Sequence, residues 1–368
     1  MASLHDLTRL GQSVWLDFID RNLVNNGGLQ RLVDSGVAGV TTNPTIFHKA
    51  ISGGADYDEA IRELLEGDHQ IQAADICEAL MVADVRGAAD VLRPVYETTA
   101  GRDGYVSLEV PPDLAYSVER TYEAAHDLWR QVARPNVMIK VPGTAEGVKV
   151  FERLTADGLN INVTLLFSIA RYEEVVRAWA RGLARNPHPD RIASVASFFV
   201  SRVDTKTDKR LEAIGSPEVR RLMGRAAIAN AKLAYRRFVM LMAEPGIAAQ
   251  LKRGARPQRP LWASTSTKNP AFRDVLYVES LIGKDTVNTV PPETLDAFLY
   301  HGEARSTLEA DVDVAQRDLE ALAKLGIDLD AITAELEREG VTSFRDSWDK
   351  LIASLKEKCF AVAKAYAG

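Results

Sequence analysis

Short runs of apolar and β-branched residues recur along the chain, and sequence with helical periodicity follows each of them. We predict eight strands from these runs, and polar residues interrupt most of them. The predicted strands are residues 13–19, 37–44, 105–110, 136–141, 161–167, 192–199, 260–265 and 286–290. Strands that alternate with helices predict an α/β fold with a parallel sheet, either doubly wound or closed into a (β/α)₈ barrel.

The first strand-to-helix turn favours the barrel. Residues 20–28 lack the G-x-G-x-x-G pattern that opens a dinucleotide-binding sheet. We therefore predict a (β/α)₈ TIM barrel over residues 1–306. Residues 307–368 are predicted to be a C-terminal helical segment that packs on the barrel, so that the chain forms one structural domain.

Helical patterns mark residues 27–35, 69–96 and 114–132, and Ser168 is a predicted N-cap of a further helix. The last helix is predicted to open at Ser343, because Ser343-x-x-Asp346 resembles a capping box. An apolar stripe then indicates the packed face of that helix. Its members are Phe344, Trp348, Leu351, Leu355 and Phe360.

Composition narrows the class of protein. The 368 residues are 46% hydrophobic and carry a net charge of −6, which argues against nucleic-acid and membrane-surface partners. No apolar run reaches the roughly 18–20 residues of a membrane span, and the first residues lack a signal pattern, so we expect a cytoplasmic protein.

Cys77 and Cys359 are expected to be reduced thiols. The six histidines are scattered without metal-ligand spacing, so no metal site is predicted.

Polar residues stand where buried strands should be apolar. In a barrel, the C-terminal ends of the strands converge at one mouth, where active sites are built. We therefore predict an active site from these interruptions. They are Asp17, Thr41, Thr42, Asn43, Glu109, Lys140, Asn162, Thr164, Ser194, Ser197, Ser264 and Thr265.

Lys140 is the residue that suggests the chemistry. A single strand lysine near two carboxylates suits an amine nucleophile that attacks a carbonyl. The amine must be neutral to attack, so burial or a nearby positive charge has to disfavour its ammonium form. Asp17 and Glu109 would then move protons during carbinolamine dehydration and C–C cleavage. We expect at least one of them to act through water or a hydroxyl such as that of Thr164.

Two basic residues beyond strand ends predict a phosphate site. Arg202 follows the sixth run and Lys268 follows the seventh. Loops late in a barrel frequently bind phosphate, and arginine binds it through two parallel hydrogen bonds. The hydroxyls of Ser264, Thr265 and Ser266 could add donors. Together with the lysine site, this pattern indicates a sugar-phosphate substrate.

The same residues lie in segments that resemble the signature segments of the transaldolase family. The similarity covers the whole chain, including Gly340–Lys350, and three motifs in this order make it specific. They are Gly39-Val-Thr-Thr-Asn-Pro-Thr45, Met138-Ile-Lys-Val-Pro-Gly-Thr144 and Ile161-Asn-Val-Thr-Leu-Leu-Phe-Ser168.

The resemblance implies a cofactor-free transfer of a dihydroxyacetone unit through a lysine Schiff base. Sedoheptulose 7-phosphate or fructose 6-phosphate would be the donor, and glyceraldehyde 3-phosphate or erythrose 4-phosphate the acceptor. Lys140 matches the Schiff-base lysine, Asp17 the acid/base carboxylate, and Glu109 with Thr164 the pair that holds the catalytic water.

The remaining matches are substrate contacts. The resemblance implies that Thr41, Asn43 and Asn162 hold the hydroxyls of the dihydroxyacetone unit. Ser197 and Arg202 match substrate and phosphate contacts after the sixth strand. Many family members have Ala-Ser-x-Arg after the seventh strand, whereas this chain has Ala263-Ser-Thr-Ser-Thr-Lys-Asn269. Ser264 matches directly, and Lys268 matches only through a two-residue shift.

Two other functions remain open from the sequence. The same site could belong to an aldolase that releases free dihydroxyacetone, since the sequence does not show how the intermediate is shielded from water. A non-catalytic sugar-phosphate-binding barrel is the other alternative, and the presence of Asp17 and Glu109 argues against it. The sequence leaves both a monomer and a homodimer possible.

Overall fold

Eight parallel strands close into a barrel at the centre of the computed structural model, which describes residues 3–366. The strands hydrogen-bond to one another in chain order, and the last pairs with the first. This confirms the predicted (β/α)₈ barrel. Strands β1 to β8 are Gln12–Leu16, Gly39–Thr41, Tyr105–Glu109, Val137–Pro142, Ile161–Leu166, Ser194–Phe199, Arg259–Ala263 and Thr286–Val290.

Helices surround the barrel and continue beyond its last strand. No helix in residues 3–366 is both long enough and apolar enough to cross a membrane. Short 3₁₀ turns lie at Pro112–Leu114, Pro189–Arg191 and Pro217–Leu222. Helices α1 to α16 are Leu4–Arg9, Arg21–Asn25, Gly28–Asp34, Pro44–Ser52, Asp58–Gly67, Ala73–Thr98, Val118–Val132, Ala145–Asp157, Ile169–Arg185, Ser201–Ile214, Ala226–Met242, Pro245–Lys252, Leu276–Ser280, Pro292–His301, Val312–Lys324 and Leu329–Tyr366.

Several strands end earlier than the apolar runs predicted. β1 stops at Leu16, so Asp17 lies directly after it, and β2 contains only Gly39–Thr41. β7 ends at Ala263 because Ser264 has a φ of 57°, a left-handed conformation that turns the chain. Because these strands end early, polar residues such as Asp17 and Ser264 follow the strands at the mouth of the barrel instead of lying inside them.

The C-terminal helix begins much earlier than predicted. Helix α16 runs without a break from Leu329, and the Asp328 carboxylate accepts a hydrogen bond from the Ala331 amide at its start. The prediction of a start at Ser343 was wrong. Buried apolar residues such as Ile332 and Leu336 already hold the preceding turns against the barrel, so tertiary packing outweighs the local capping signal.

One member of the predicted apolar stripe on α16 was also misplaced. Phe344, Leu351 and Leu355 are buried, whereas Phe360 is 74% exposed and Val362 is buried in its place. The helix turns by about 100° per residue, so a stripe read over several turns drifts away from the packed face.

The opposite end of the barrel is closed by a buried ion pair. Arg259 Nη2 lies 3.0 Å from Asp103 Oδ1, and the other Asp103 oxygen accepts a hydrogen bond from the Ser13 hydroxyl. Burial acts to raise the pKa of Asp103, but Arg259 outweighs it and the pKa is lowered. Ser194 also lies at this end, where it accepts a hydrogen bond from Gln258, so its predicted place at the mouth was wrong.

Gly147 permits the first turn of α8 to lie against the end of β4. A β-carbon on Gly147 would lie 1.8 Å from the Pro142 carbonyl oxygen, which is backbone and cannot rotate away. The Thr144 side chain caps the same turn by accepting a hydrogen bond from the Gly147 amide. The glycine therefore fixes the exit of the strand that carries Lys140.

We predict that Gly147→Ala lowers the free energy of unfolding by about 2 kcal/mol or more, because the helix must move off β4. Gly246→Ala in α12 is the matched control, since a β-carbon there meets nothing within 4 Å. That control should be neutral or slightly stabilising. Urea unfolding of both variants checks the prediction, and equal stability of the two would contradict it.

Candidate active site

Lys140 lies on β4, and its side chain is buried inside the barrel with 6% exposed. The strand register places Glu109 of β3 beside Lys140 of β4, and Lys140 beside Asn162 of β5. Residues that are paired on neighbouring strands point to the same face of the sheet. Three of the predicted site residues are therefore neighbours because of strand pairing alone.

Two oxygen groups contact the Lys140 amine. Nζ donates a hydrogen bond to the Thr42 carbonyl oxygen at 2.7 Å and lies 3.1 Å from Glu109 Oε2. Burial raises the pKa of Glu109, while the positive charge of Lys140 acts in the opposite direction. Glu109 thus reaches the amine directly, and its raised pKa makes it a better proton acceptor than an exposed glutamate.

A cavity of about 420 Å³ opens above Lys140 at the C-terminal ends of the strands. Glu109 and Asn162 lie behind the cavity wall, in contact with Lys140 and Ser197, which form part of it. The predicted site residues on the wall are Asp17, Thr41, Asn43, Lys140, Thr164, Ser197, Arg202, Ser264 and Lys268.

Asp17 projects into the cavity from the end of β1. Its Oδ1 accepts a hydrogen bond of 2.8 Å from the Thr41 hydroxyl, which in turn lies 2.5 Å from the Thr289 hydroxyl. Burial raises the pKa of Asp17, against the opposing effects of Lys140 and the Thr41 hydrogen bond. A carboxyl with a raised pKa accepts a proton more readily than an exposed aspartate does.

A hydrogen-bonded chain joins three strands below the cavity wall. The Ser197 hydroxyl donates to Asn162 Oδ1 at 2.7 Å, and Asn162 Nδ2 donates to the Ser107 hydroxyl at 3.1 Å. These bonds fix the orientation of the Asn162 amide. Beyond the end of β2, the Asn43 side chain caps α4 by accepting a hydrogen bond from the Ile46 amide.

Thr164 differs from these residues because its hydroxyl is unpaired. Its Oγ1 is buried and has no hydrogen-bond partner in residues 3–366, although the residue lines the cavity. The next residue, Leu165, has a φ of 60° and lies at a register shift between β5 and β6. The unsatisfied hydroxyl is therefore available to a substrate or to water at the cavity floor.

The upper wall of the cavity is rich in positive charge. Arg202 forms no ion pair within the described residues, and its guanidinium lies over the Phe199 ring at 5.2 Å. Burial lowers the pKa of Arg202, because the charged guanidinium loses part of its hydration. Lys268 lies at the exposed rim, where it contacts Ser266, and Lys49 adds a further cation. A poorly solvated cation without a partner favours an anionic ligand.

Comparison with known proteins identifies the family. The model of the "Transaldolase/Fructose-6-phosphate aldolase" family matches residues 14–355. The chain belongs to this family. It is 46% identical to the transaldolase of Thiobacillus denitrificans over 95% of this chain and 98% of that protein. It is 48% identical to the transaldolase of Acidothermus cellulolyticus, over 96% of this chain and 95% of that protein.

Residues from all three sequence motifs line one cavity. Every residue predicted from those motifs lies on the cavity wall or directly behind it. Lys268, which matches the family pattern only through a two-residue shift in alignment, lies at the rim of the same cavity. Its amine contacts Ser266 there.

Sequence reasoning missed several residues of the site. Thr289 bonds Thr41, Ser107 orients Asn162, and Lys49 and Phe344 line the cavity. Thr289 and Ser107 interrupt predicted strands and could have been singled out by the same polar-residue signal. Lys49 and Phe344 lie on helices, and their sequence neighbourhoods look like ordinary surface and core.

Asp204 connects the chain segments that carry the basic residues of the cavity wall. It lies on α10 near Arg202, and its carboxylate accepts hydrogen bonds from the Ala227 amide at 2.7 Å and the Tyr277 hydroxyl at 2.8 Å. Burial raises its pKa to about 7. Because Tyr277 follows the loop of Ser264 and Lys268, Asp204 fixes the spacing between the two halves of the predicted phosphate site.

The ion pair at the cavity floor gives a titration prediction. Because burial raises the pKa of Glu109, its carboxyl should titrate with a midpoint above the ordinary value of 4.5. Lys140→Met should move the midpoint further upward, since it removes the charge that favours the carboxylate. The measurement is ¹³C NMR of labelled glutamate carboxyls, with Glu109→Gln to assign the signal. A midpoint that stays the same or falls in Lys140→Met would contradict the pairing.

Proposed function

We propose that this protein is a transaldolase, a transferase that moves a dihydroxyacetone unit between sugar phosphates through a Schiff base on Lys140. The observation that carries the proposal is the buried Lys140 amine, which contacts Glu109 at the floor of a cavity whose upper wall is cationic. An amine at the floor and an anion site at the wall suit a linear sugar phosphate. No cofactor takes part in this reaction.

In the first half of the reaction, the Lys140 amine attacks the C2 carbonyl of the donor ketose. Glu109 accepts a proton from the amine and returns one as the carbinolamine loses water, which leaves an iminium ion. The 3.1 Å contact between Nζ and the carboxylate supports this role. The unpaired Thr164 hydroxyl supports a place for the departing water beside Glu109.

Asp17 then removes the proton of the C4 hydroxyl, and the C3–C4 bond breaks. An aldose phosphate leaves, and the dihydroxyacetone unit stays on Lys140 as an enamine. The acceptor aldehyde reacts by the reverse sequence, with Asp17 returning the proton. The raised pKa of Asp17 supports both halves of this cycle.

Polar residues on the cavity wall and directly behind it hold the sugar. Thr41, Asn43 and Asn162 bind the hydroxyls of the dihydroxyacetone unit, with Ser197 orienting Asn162 through its 2.7 Å hydrogen bond. Arg202 binds the phosphate, with Ser264 and Lys268 as further contacts. The poor solvation of Arg202 and its lack of an ion pair within residues 3–366 support this assignment.

The substrates follow from the family. The donor is sedoheptulose 7-phosphate or fructose 6-phosphate, and the acceptor is glyceraldehyde 3-phosphate or erythrose 4-phosphate, which places the enzyme in the pentose phosphate pathway. The location is cytoplasmic, in keeping with free Cys77 and Cys359. The barrel of residues 1–306 and the helical segment 307–368 form one catalytic unit, active as a monomer or a homodimer.

A second candidate is an aldolase that releases free dihydroxyacetone from the same intermediate. The family model covers both activities, and Lys140, Glu109 and Asp17 would serve either. Product analysis with and without an aldose phosphate acceptor separates them. Transfer that requires the acceptor supports the transaldolase, whereas equal release of dihydroxyacetone without it supports the aldolase.

Borohydride reduction in the presence of fructose 6-phosphate should trap a covalent adduct on Lys140. Lys232 is the internal control, because it is also buried but, among the residues that the structure describes, its amine donates to the Thr307 and Ala310 carbonyls alone. Peptide mass spectrometry should find the added mass at Lys140 and not at Lys232. Lys140→Ala should lose about 1,000-fold or more in transfer rate. An unmodified Lys140 would contradict the proposal.

Arg202→Ala should raise KM for fructose 6-phosphate by about 10- to 100-fold, because a charge-assisted hydrogen bond to phosphate is lost. Lys268→Ala should have a smaller effect, since this amine is exposed to solvent. Steady-state kinetics with fructose provide the control, because the sugar without phosphate should be equally poor for wild type and Arg202→Ala. A parallel loss on both sugars would argue against a phosphate contact.

A further inference from the structure

Phe344 brings an aromatic ring from the C-terminal helix into the cavity. The side chain is 5% exposed, and its ring centre lies 6.0 Å from Lys140 Nζ and 5.9 Å from the Arg202 guanidinium carbon. Among the described residues that line the cavity, it alone comes from α16. The ring therefore lies close to both the reactive amine and the cationic wall.

The position of this part of α16 is fixed by close packing. Gly340 lies one turn before Phe344, and a β-carbon on it would lie 2.9 Å from Leu165 Cδ2. Leu165 has a left-handed backbone, which costs of order 1–3 kcal/mol in a non-glycine residue. This strained residue, next to Thr164, is thus the surface on which α16 rests.

Ion pairs and hydrogen bonds hold the helix from its two sides. Lys206 of α10 lies 2.7 Å from Glu335 and 2.6 Å from Glu339. On the other side, the Thr45 hydroxyl donates to the Ser347 hydroxyl at 3.0 Å. These contacts tie α16 to the helix of Arg202 and to the helix that follows Asn43, so the ring keeps its place above Lys140.

A second aromatic residue of α16 lies near the proton acceptor. Trp348 and Glu109 border the same small void, which is separate from the main cavity. Neither the phenyl ring nor the indole can exchange a proton with substrate at ordinary pH. Their common property is apolar bulk beside the Lys140–Glu109 pair, which excludes water.

We propose that Phe344 is a shielding residue that sets how the Lys140-bound intermediate divides between transfer to an aldose and release by water. This inference rests on the proposed transaldolase function. In transfer, the enamine carbon bonds to the carbonyl carbon of the acceptor. In release, that carbon takes a proton and water oxygen adds to the imine carbon. The C–N bond then breaks, which frees dihydroxyacetone and returns the Lys140 amine.

The test measures free dihydroxyacetone and sedoheptulose 7-phosphate formed from fructose 6-phosphate and erythrose 4-phosphate. In Phe344→Ala, the ratio of released to transferred dihydroxyacetone should rise by about tenfold or more over wild type. Phe344→Leu restores apolar bulk without an aromatic ring and should return most of the wild-type ratio. Phe360→Ala is the matched control, because Phe360 lies on the same helix but is 74% exposed.

The outcomes separate this inference from the proposed function. If wild type neither transfers nor forms the adduct, the proposed function fails. If wild type transfers and the ratio in Phe344→Ala equals that in Phe360→Ala, only the shielding role is overturned. A loss of transfer and release in equal proportion would also overturn it, since that indicates a structural role. Should Phe344→Ala not fold, Phe344→Val takes its place, with a raised ratio expected and an unchanged ratio decisive against it.

Discussion

The contact between Lys140 and Glu109 is the constraint on which the site depends. A charged pair at the centre of a barrel loses its hydration, and its mutual attraction offsets that loss only when the geometry is held closely. Adjacent strands in register supply the geometry, because Glu109 of β3 lies beside Lys140 of β4. The Thr42 carbonyl, just after β2, supplies the second contact of the amine. The Lys140 amine is thus held by the same strand pairing that closes the barrel.

The separation of charges within the cavity orients a substrate. The floor carries Lys140 with two carboxyls near it, whereas the upper wall carries Arg202 without an ion pair within the described residues. A phosphate would gain most at Arg202, and a neutral carbonyl could then approach Lys140 without bringing a second anion close to Glu109 and Asp17. Burial strengthens each of these interactions, since fewer water molecules screen them.

The last helix completes a site whose other walls come from the barrel. Helix α16 runs over the mouth because Gly340 permits close approach to Leu165, and Phe344 then reaches Lys140. The sequence predicted a helix that begins at Ser343, one residue before this ring. A continuous helix that is anchored at both Lys206 and Thr45 turns it into a fixed wall.

The order of the strands and the barrel could be predicted from the sequence. The placement of Lys140, Asp17 and Glu109 close to one another could be predicted as well, because inward-facing polar residues break an apolar pattern wherever they lie. Local pattern does not record distance across the fold. That Glu109 contacts Lys140 directly, that Ser194 lies at the far end and that α16 begins at Leu329 were decided by tertiary packing. Phe344 looks like any core residue in its helix, and only the docking of that helix places it beside the amine.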